Sequence, residues 1–218
     1  MTIKREIGEF LGVDEKEFNI ATGLIIEYKN SYLFSIQNSE KWQEKNGIIN
    51  IGIVGIGGGC EEGETIEECL NRETYEEIGE QVDIIDEKET LILVDEECSI
   101  NTEKMHFCKS KPYAITLVKN KGKYRGKPYT IVFSYRCNLH YIPKAGDVYG
   151  FVLCNKEDVS AIEIEGMSYD KWKELGAEFI IEQSIPNNSK LIPFGTFRSF
   201  LTLQRIHSIL EKDILDVK

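Results

Sequence analysis

Between Gly57 and Gly79 the chain encodes a turn, a helix and a stop. Three consecutive glycines, Gly57-Gly58-Gly59, let the backbone turn where a Cβ would collide. Thr65 followed three residues later by Glu68 is a capping box, so a helix is expected to begin at about Ile66. Gly79 is suited to the left-handed conformation that ends a helix. Within the helix Ile66, Leu70, Thr74 and Ile78 fall four apart and form a packing stripe, with Cys69 beside it. Glu73, Glu76 and Glu77 are three or four apart and therefore neighbours on the helix surface. At about 100° per residue, Glu73 and Glu77 project beside Ile66 and Leu70, toward the packed side.

Carboxylates so placed repel one another, and burying an unpaired one costs several kcal/mol. The residues alone leave three explanations open. The groups are protonated, or Arg72 and other cations neutralise them, or they hold a divalent metal, for which carboxylate oxygens are hard ligands suited to Mg²⁺ or Mn²⁺. In an acidic chain such a run is also commonly a solvated face. The wider pattern argues otherwise. Gly58, Glu64, Arg72-Glu73, Glu76-Glu77 and Gly79 are seven fixed positions at fixed spacing, which a solvated face does not require.

These residues resemble the Nudix box, G-x5-E-x7-R-E-U-x-E-E-x-G-U, where U is a bulky aliphatic residue. All seven chemically fixed positions match. Thr74 and Glu80 stand at the two aliphatic positions, and Ile56 stands where the family often has proline. The resemblance implies an α/β/α sandwich with a mixed sheet, the box forming a loop–helix–loop. It also implies a Mg²⁺- or Mn²⁺-dependent hydrolase that uses an activated water to cleave the pyrophosphate bond of a nucleoside diphosphate linked to another moiety. Carried over by position, Glu73, Glu76 and Glu77 would bind the metal, with the Gly57 carbonyl as a further ligand. Arg72 would orient the glutamates by ion pairing, and Glu64 would brace the loop or act in the metal's outer shell. In this family the base comes from the box or from another loop. Asp147 is the candidate outside the box, with Glu163 and Glu165 as rivals. The alternative on the same fold is a non-hydrolytic nucleotide-binding regulator, disfavoured because every box carboxylate is retained.

The rest of the chain reads as α+β. Phe18 to Ile36 predicts two strands around a turn at Lys29-Asn30-Ser31, and Ile48 to Ile56 predicts a strand interrupted by glycines. Further strands are expected at Thr90–Val94, Tyr113–Val118, Tyr129–Tyr135 and Val148–Leu153. Helices are expected over Tyr169–Gln183 and Phe197–Val217, with Thr196 as N-cap of the latter. The expected organisation is a Nudix-like domain over residues 1–166 and a helical C-terminal extension over 167–218. The last helix would pack on that domain or form a homodimer interface, since Phe200, Leu201, Leu203, Ile206, Ile209, Leu210 and Ile214 need a partner surface. Phe197 is expected in the core.

Charge narrows the function class. Lys plus Arg number 26 against 37 Asp plus Glu, a net charge of −11, which disfavours nucleic acid as a partner. A small-molecule nucleotide remains compatible, because a metal or a local basic patch reverses the field within one cleft. Lys104 to Lys127 holds eight cations and no acid. It reads either as a solvated hairpin or as a cationic wall for a phosphate-bearing substrate, with Lys121, Lys123 and Arg125 as binding candidates and Tyr124 and Tyr129 available for stacking, as is Phe194 further on. No apolar run is long enough to span a membrane, and the first twelve residues lack a signal-peptide core, so a cytoplasmic location is expected. The six cysteines show no C-x-x-C pair and are expected as reduced thiols, and His106, His140 and His207 match no zinc pattern.

Overall fold

A computed structural model describes residues 3–95, 97–103, 105–124 and 126–216, with side chains described outside 121–124 and 207–216. Helix α1 (Ile3–Leu11) leads into a hairpin of β1 (Phe18–Tyr28) and β2 (Ser31–Ile36). A 3-10 turn at Ser39–Lys41 precedes β3 (Gln43–Lys45), β4 (Ile48–Val54) and helix α2 (Ile66–Ile78). Then follow β5 (Thr90–Val94), β6 (Glu97–Asn101), β7 (Ala114–Tyr124), β8 (Lys127–Leu139) and β9 (Gly150–Asn155). The last stretch holds β10 (Met167–Ser168), α3 (Tyr169–Glu174), β11 (Glu178–Ile181), β12 (Ser189–Pro193) and α4 (Gly195–Asp216).

All the strands join one mixed sheet of order β10-β12-β4-β2-β1-β8-β7-β5-β6, with β9 paired to β2 and β11, and β3 to β4. β1 runs parallel to β8 in unbroken register from Phe18↔Tyr129 to Tyr28↔Leu139. Period-two alternation sends β1 side chains to opposite faces: Leu24 and Ile26 enter one core and Ile25 the other. The first core takes Ile7 from α1 and Ile66, Leu70 and Ile78 from α2. The second takes Trp172 from α3 and Phe197, Phe200 and Leu201 from α4. Helices therefore cover both faces, giving the expected three layers.

The expected strands all form, most with shifted ends, whereas two helix expectations need correction. The helix expected over Tyr169–Gln183 stops at Glu174, and β11 follows, paired with β9 from Glu178↔Leu153 to Ile181↔Gly150. Gly176, at φ +76°, ends it. Its N–H donates to the Lys173 carbonyl and that of Ala177 to the Trp172 carbonyl, which is a Schellman motif. Thr196 does not cap α4, because the helix starts one residue earlier at Gly195. Thr196 is buried and sits where side chains on Gly23 or Gly55 would lie, within 2.0 Å and 2.8 Å of ideal Cβ atoms there. The expectations for Ile209, Leu210 and Ile214 fall outside the residues whose side chains are described. No described helix is long and apolar enough to cross a membrane.

Candidate active site

The loop after β4 runs back along β1, with Leu24 N–H donating to the Ile56 carbonyl and Thr22 N–H to the Gly58 carbonyl. Two glycines permit this. An ideal Cβ on Gly57, at φ +143°, would lie 2.3 Å from the Thr22 carbonyl oxygen, and one on Gly58 would lie 2.4 Å from a Glu73 carboxylate oxygen. Helix α2 then starts as expected: Glu68 N–H donates to the Thr65 hydroxyl while the Glu68 carboxylate accepts from Thr65 N–H. Gly79 closes it at φ +74°.

Arg72 is the hub of the acids on this helix and on the loop before it. Its Nε and Nη2 donate to the two oxygens of Glu64 at 2.7 and 3.0 Å, a bidentate pair. Nη1 donates to Glu73 at 2.8 Å and to Glu76 at 3.3 Å, and Nη2 also to the Gly59 carbonyl at 3.2 Å. Glu64 in turn accepts from Glu61 N–H at 2.7 Å, tying the loop to the helix. The Arg72 pair holds the Glu64 carboxyl below its ordinary range.

Glu77 differs from its neighbours. Its contact to Arg72 is replaced by one to the Gly57 N–H, at 3.2 Å. Burial pushes its carboxyl up to about 8; the charges of Glu73 and Asp147 add to this, while the Gly57 N–H and the Lys41 ammonium oppose it. Glu73 is also withdrawn, its side chain 14% exposed, whereas Glu76 is 51% exposed. Asp147 reaches the same end of α2: its N–H donates to the Glu76 carbonyl at 3.0 Å, and Gly146 N–H to the Glu77 carbonyl at 2.8 Å.

The family model of the NUDIX domain matches residues 17–172. This chain belongs to the Nudix family. Among solved structures it is similar to a Nudix-family hydrolase from Clostridium perfringens, at 16% identity over 66% of this chain and 86% of that one, with a TM-score of 0.44. It is similar to the MutT protein from Methanosarcina mazei Go1 at 13% identity, over 67% and 83% of the two chains, with a TM-score of 0.42. A third is the E. coli dihydroneopterin triphosphate pyrophosphohydrolase, at 14% identity, 62% and 80% coverage and a TM-score of 0.36. No curated protein matches it.

The two departures from the Nudix box have local reasons. Thr74 is buried, and its hydroxyl donates to the Leu70 carbonyl at 2.6 Å, so a polar side chain occupies the aliphatic position with its donor satisfied. Glu80 lies beyond the helix, after the Gly79 stop, and is partly exposed rather than part of the core. Of the three base candidates, Asp147 is brought to the Nudix box. Glu163 and Glu165 are not: they pair with Lys171 of α3 and Arg198 of α4. Lys121, Lys123, Tyr124 and Arg125 fall outside the residues whose side chains are described. Tyr129 packs against the first core, Phe197 is fully buried, and Phe194 is exposed.

The donor set fits a hard divalent cation in kind. Glu73, Glu76, Glu77 and the Gly57 carbonyl all offer oxygen donors, and Glu77 is a half-buried carboxyl without a cationic partner at hydrogen-bonding distance among the described residues. Those described residues form no ready-made cage of three acids. Glu73 and Glu76 are engaged by Arg72, so a cation would compete with the guanidinium for them. Residue-by-residue reading of the sequence missed Asn38 and Lys41, which lie beside Asp147 and Glu77. No local motif marks either of them.

Proposed function

We propose that this Nudix-type hydrolase cleaves the pyrophosphate bond of a nucleoside diphosphate linked to another moiety, in the presence of Mg²⁺ or Mn²⁺. The observation that carries the reading is Glu77, a largely withdrawn carboxyl beside Glu73 and the Gly57 turn, with no cation at hydrogen-bonding distance among the described residues. Glu73, Glu76, Glu77 and the Gly57 carbonyl would hold the ion, which when bound would screen the phosphate charge and make water easier to deprotonate.

Arg72 bonds Glu73 and Glu76 on the helix and Glu64 on the loop before it, and so orients the two helix carboxylates against that loop. Glu64 locks Arg72 to the loop. Asp147 is assigned as the base. Its carboxylate takes a proton from water as the water oxygen bonds to phosphorus; the anhydride P–O bond breaks and its electron pair leaves with the departing phosphate. Lys121, Lys123 and Arg125 are assigned to the substrate's phosphates, so replacing all three by alanine raises KM; an unchanged KM removes that assignment.

The test is phosphate or nucleotide release from a panel of nucleoside diphosphate derivatives with Mg²⁺ or Mn²⁺, for the native chain and Glu77→Gln. The native chain is expected to turn over at least one substrate, and Glu77→Gln to lose about a hundredfold or more in kcat while unfolding at the same temperature. Tight nucleotide binding with no cleavage of any substrate would instead identify a regulator.

A further inference from the structure

Asp147 is gripped from two sides. On one, the backbone of Gly146 and Asp147 hangs on the last turn of α2. The approach is so close that a Cβ on Gly146 would lie 2.2 Å from the Glu76 carbonyl oxygen. On the other, the Asn38 side chain donates from Nδ2 to Asp147 Oδ1 at 3.0 Å and to the Asp147 carbonyl at 3.2 Å.

The placement of Asn38 is not explained by local structure. It stands at the N-cap of the 3-10 turn Ser39–Lys41, where an asparagine side chain would ordinarily bond the turn's own N–H groups, yet it makes no capping bond. It points across to a loop 109 residues further along the chain. Both atoms it meets are acceptors, so only the NH₂ end of the amide can serve, and its two hydrogens suffice for both. The segment that carries it is itself fixed. Trp42 Nε1 donates to the Gln37 carbonyl at 2.8 Å, the Trp42 ring lies 4.7 Å from that of Tyr149, and Tyr149 N–H donates to the Ile36 carbonyl at 3.0 Å. The Tyr149 hydroxyl is bonded to the Gln183 and Ser184 carbonyls.

We infer that Asn38 is a positioning residue for Asp147, holding one carboxylate oxygen so that the other is the one left to accept a proton. The inference rests on the reading of Asp147 as the base. It predicts an order among substitutions. Asn38→Ala frees the carboxylate, whereas Asn38→Asp sets a third acceptor against the two already there and is worse.

The experiment is a double-substitution cycle of Asn38→Ala with Asp147→Ala, on a nucleotide that the native chain cleaves, beside amide hydrogen exchange of the native and Asn38→Ala chains. Asn38→Ala is expected to lower kcat about tenfold with KM within about twofold. The loss should vanish in the Asp147→Ala background, because Asn38 then has no carboxylate to hold. Asn38→Asp should lower kcat further. The Gly146 and Asp147 amides should exchange faster in Asn38→Ala, those of α2 residues 70–76 unchanged. An equal loss in both backgrounds, an unchanged kcat, or unaltered exchange at residues 146 and 147 overturns the inference. If the native chain cleaves no nucleotide, the catalytic half of the inference falls with the hydrolase reading. The exchange measurement then decides by itself whether Asn38 holds Asp147.

Discussion

Gly58 and Gly63 both lie in the Nudix box loop, but for different reasons. At Gly58 the space belongs to the Glu73 carboxylate, within 2.4–2.5 Å of an ideal Cβ. At Gly63 there is nothing within 4 Å, and only φ +90° calls for glycine. Gly58→Ala is therefore expected to displace Glu73, lowering kcat at least tenfold and stability by about 1–3 kcal/mol. Gly63→Ala should cost about 1–2 kcal/mol from backbone strain and leave kcat within about twofold. Urea unfolding beside steady-state turnover checks both. Equal activity in the two variants would mean that Glu73 does not need its observed position. Residues such as Glu64 and Arg72 were legible because they act eight positions apart within one motif. Asn38 and Lys41 were not, because their meaning comes from a loop and a helix that only the folded sheet brings to them.

Helix α2 holds the acids in place only while its first turn holds, and that turn depends on the reciprocal bonds of Thr65 and Glu68. Thr65→Ala should cost about 1 kcal/mol in urea unfolding at neutral pH. The Glu68 carboxyl is held below its ordinary 4.5, first by the Thr65 N–H and then by the Thr65 hydroxyl. A carboxyl lowered by folding adds stability above its unfolded value, and that stability is lost as the pH falls through the lowered one. The native chain should thus lose more stability between pH 5 and pH 3 than Glu68→Gln does, measured by urea unfolding across that range (the span brackets the ordinary carboxylate value). Parallel curves would remove the capping box from the acid limb. This cap and the Gly79 stop were readable from sequence, since both act within four residues. The extent of α3 was misread although Gly176 is a local stop signal. Tyr169, Trp172, Leu175 and Phe179 mimic a helical stripe, and their common direction comes instead from burial beneath α4 and pairing of β11 with β9.

Across the whole molecule, the family match ends at residue 172, but the sheet and its second core do not. β12 lies parallel to β4 from Ser189↔Ile49 to Pro193↔Ile53. Without it that edge of β4 loses its ladder partner. α4 then seats Phe197 on Phe34, with ring centroids 3.8 Å apart, and fits Thr196 against Gly23 of β1 and Gly55 just after β4, where the Nudix loop begins. Phe34, Ile36, Ile51 and Ile53 are all fully buried, and residues beyond 172 supply Ile185, Leu191, Phe197, Phe200 and Leu201 to the same cluster. Burying one such side chain is worth about 1.5–3 kcal/mol, so losing five partners removes more than the net stability of an ordinary domain can spare. A chain ending at residue 172 should therefore bind a hydrophobic dye and show no cooperative urea transition. Phe197→Ala in the full chain should lose about 3–5 kcal/mol yet still unfold in one step. A cooperative transition in the shortened chain would show that the strands and helix beyond residue 172 are an appendage to a fold complete without them.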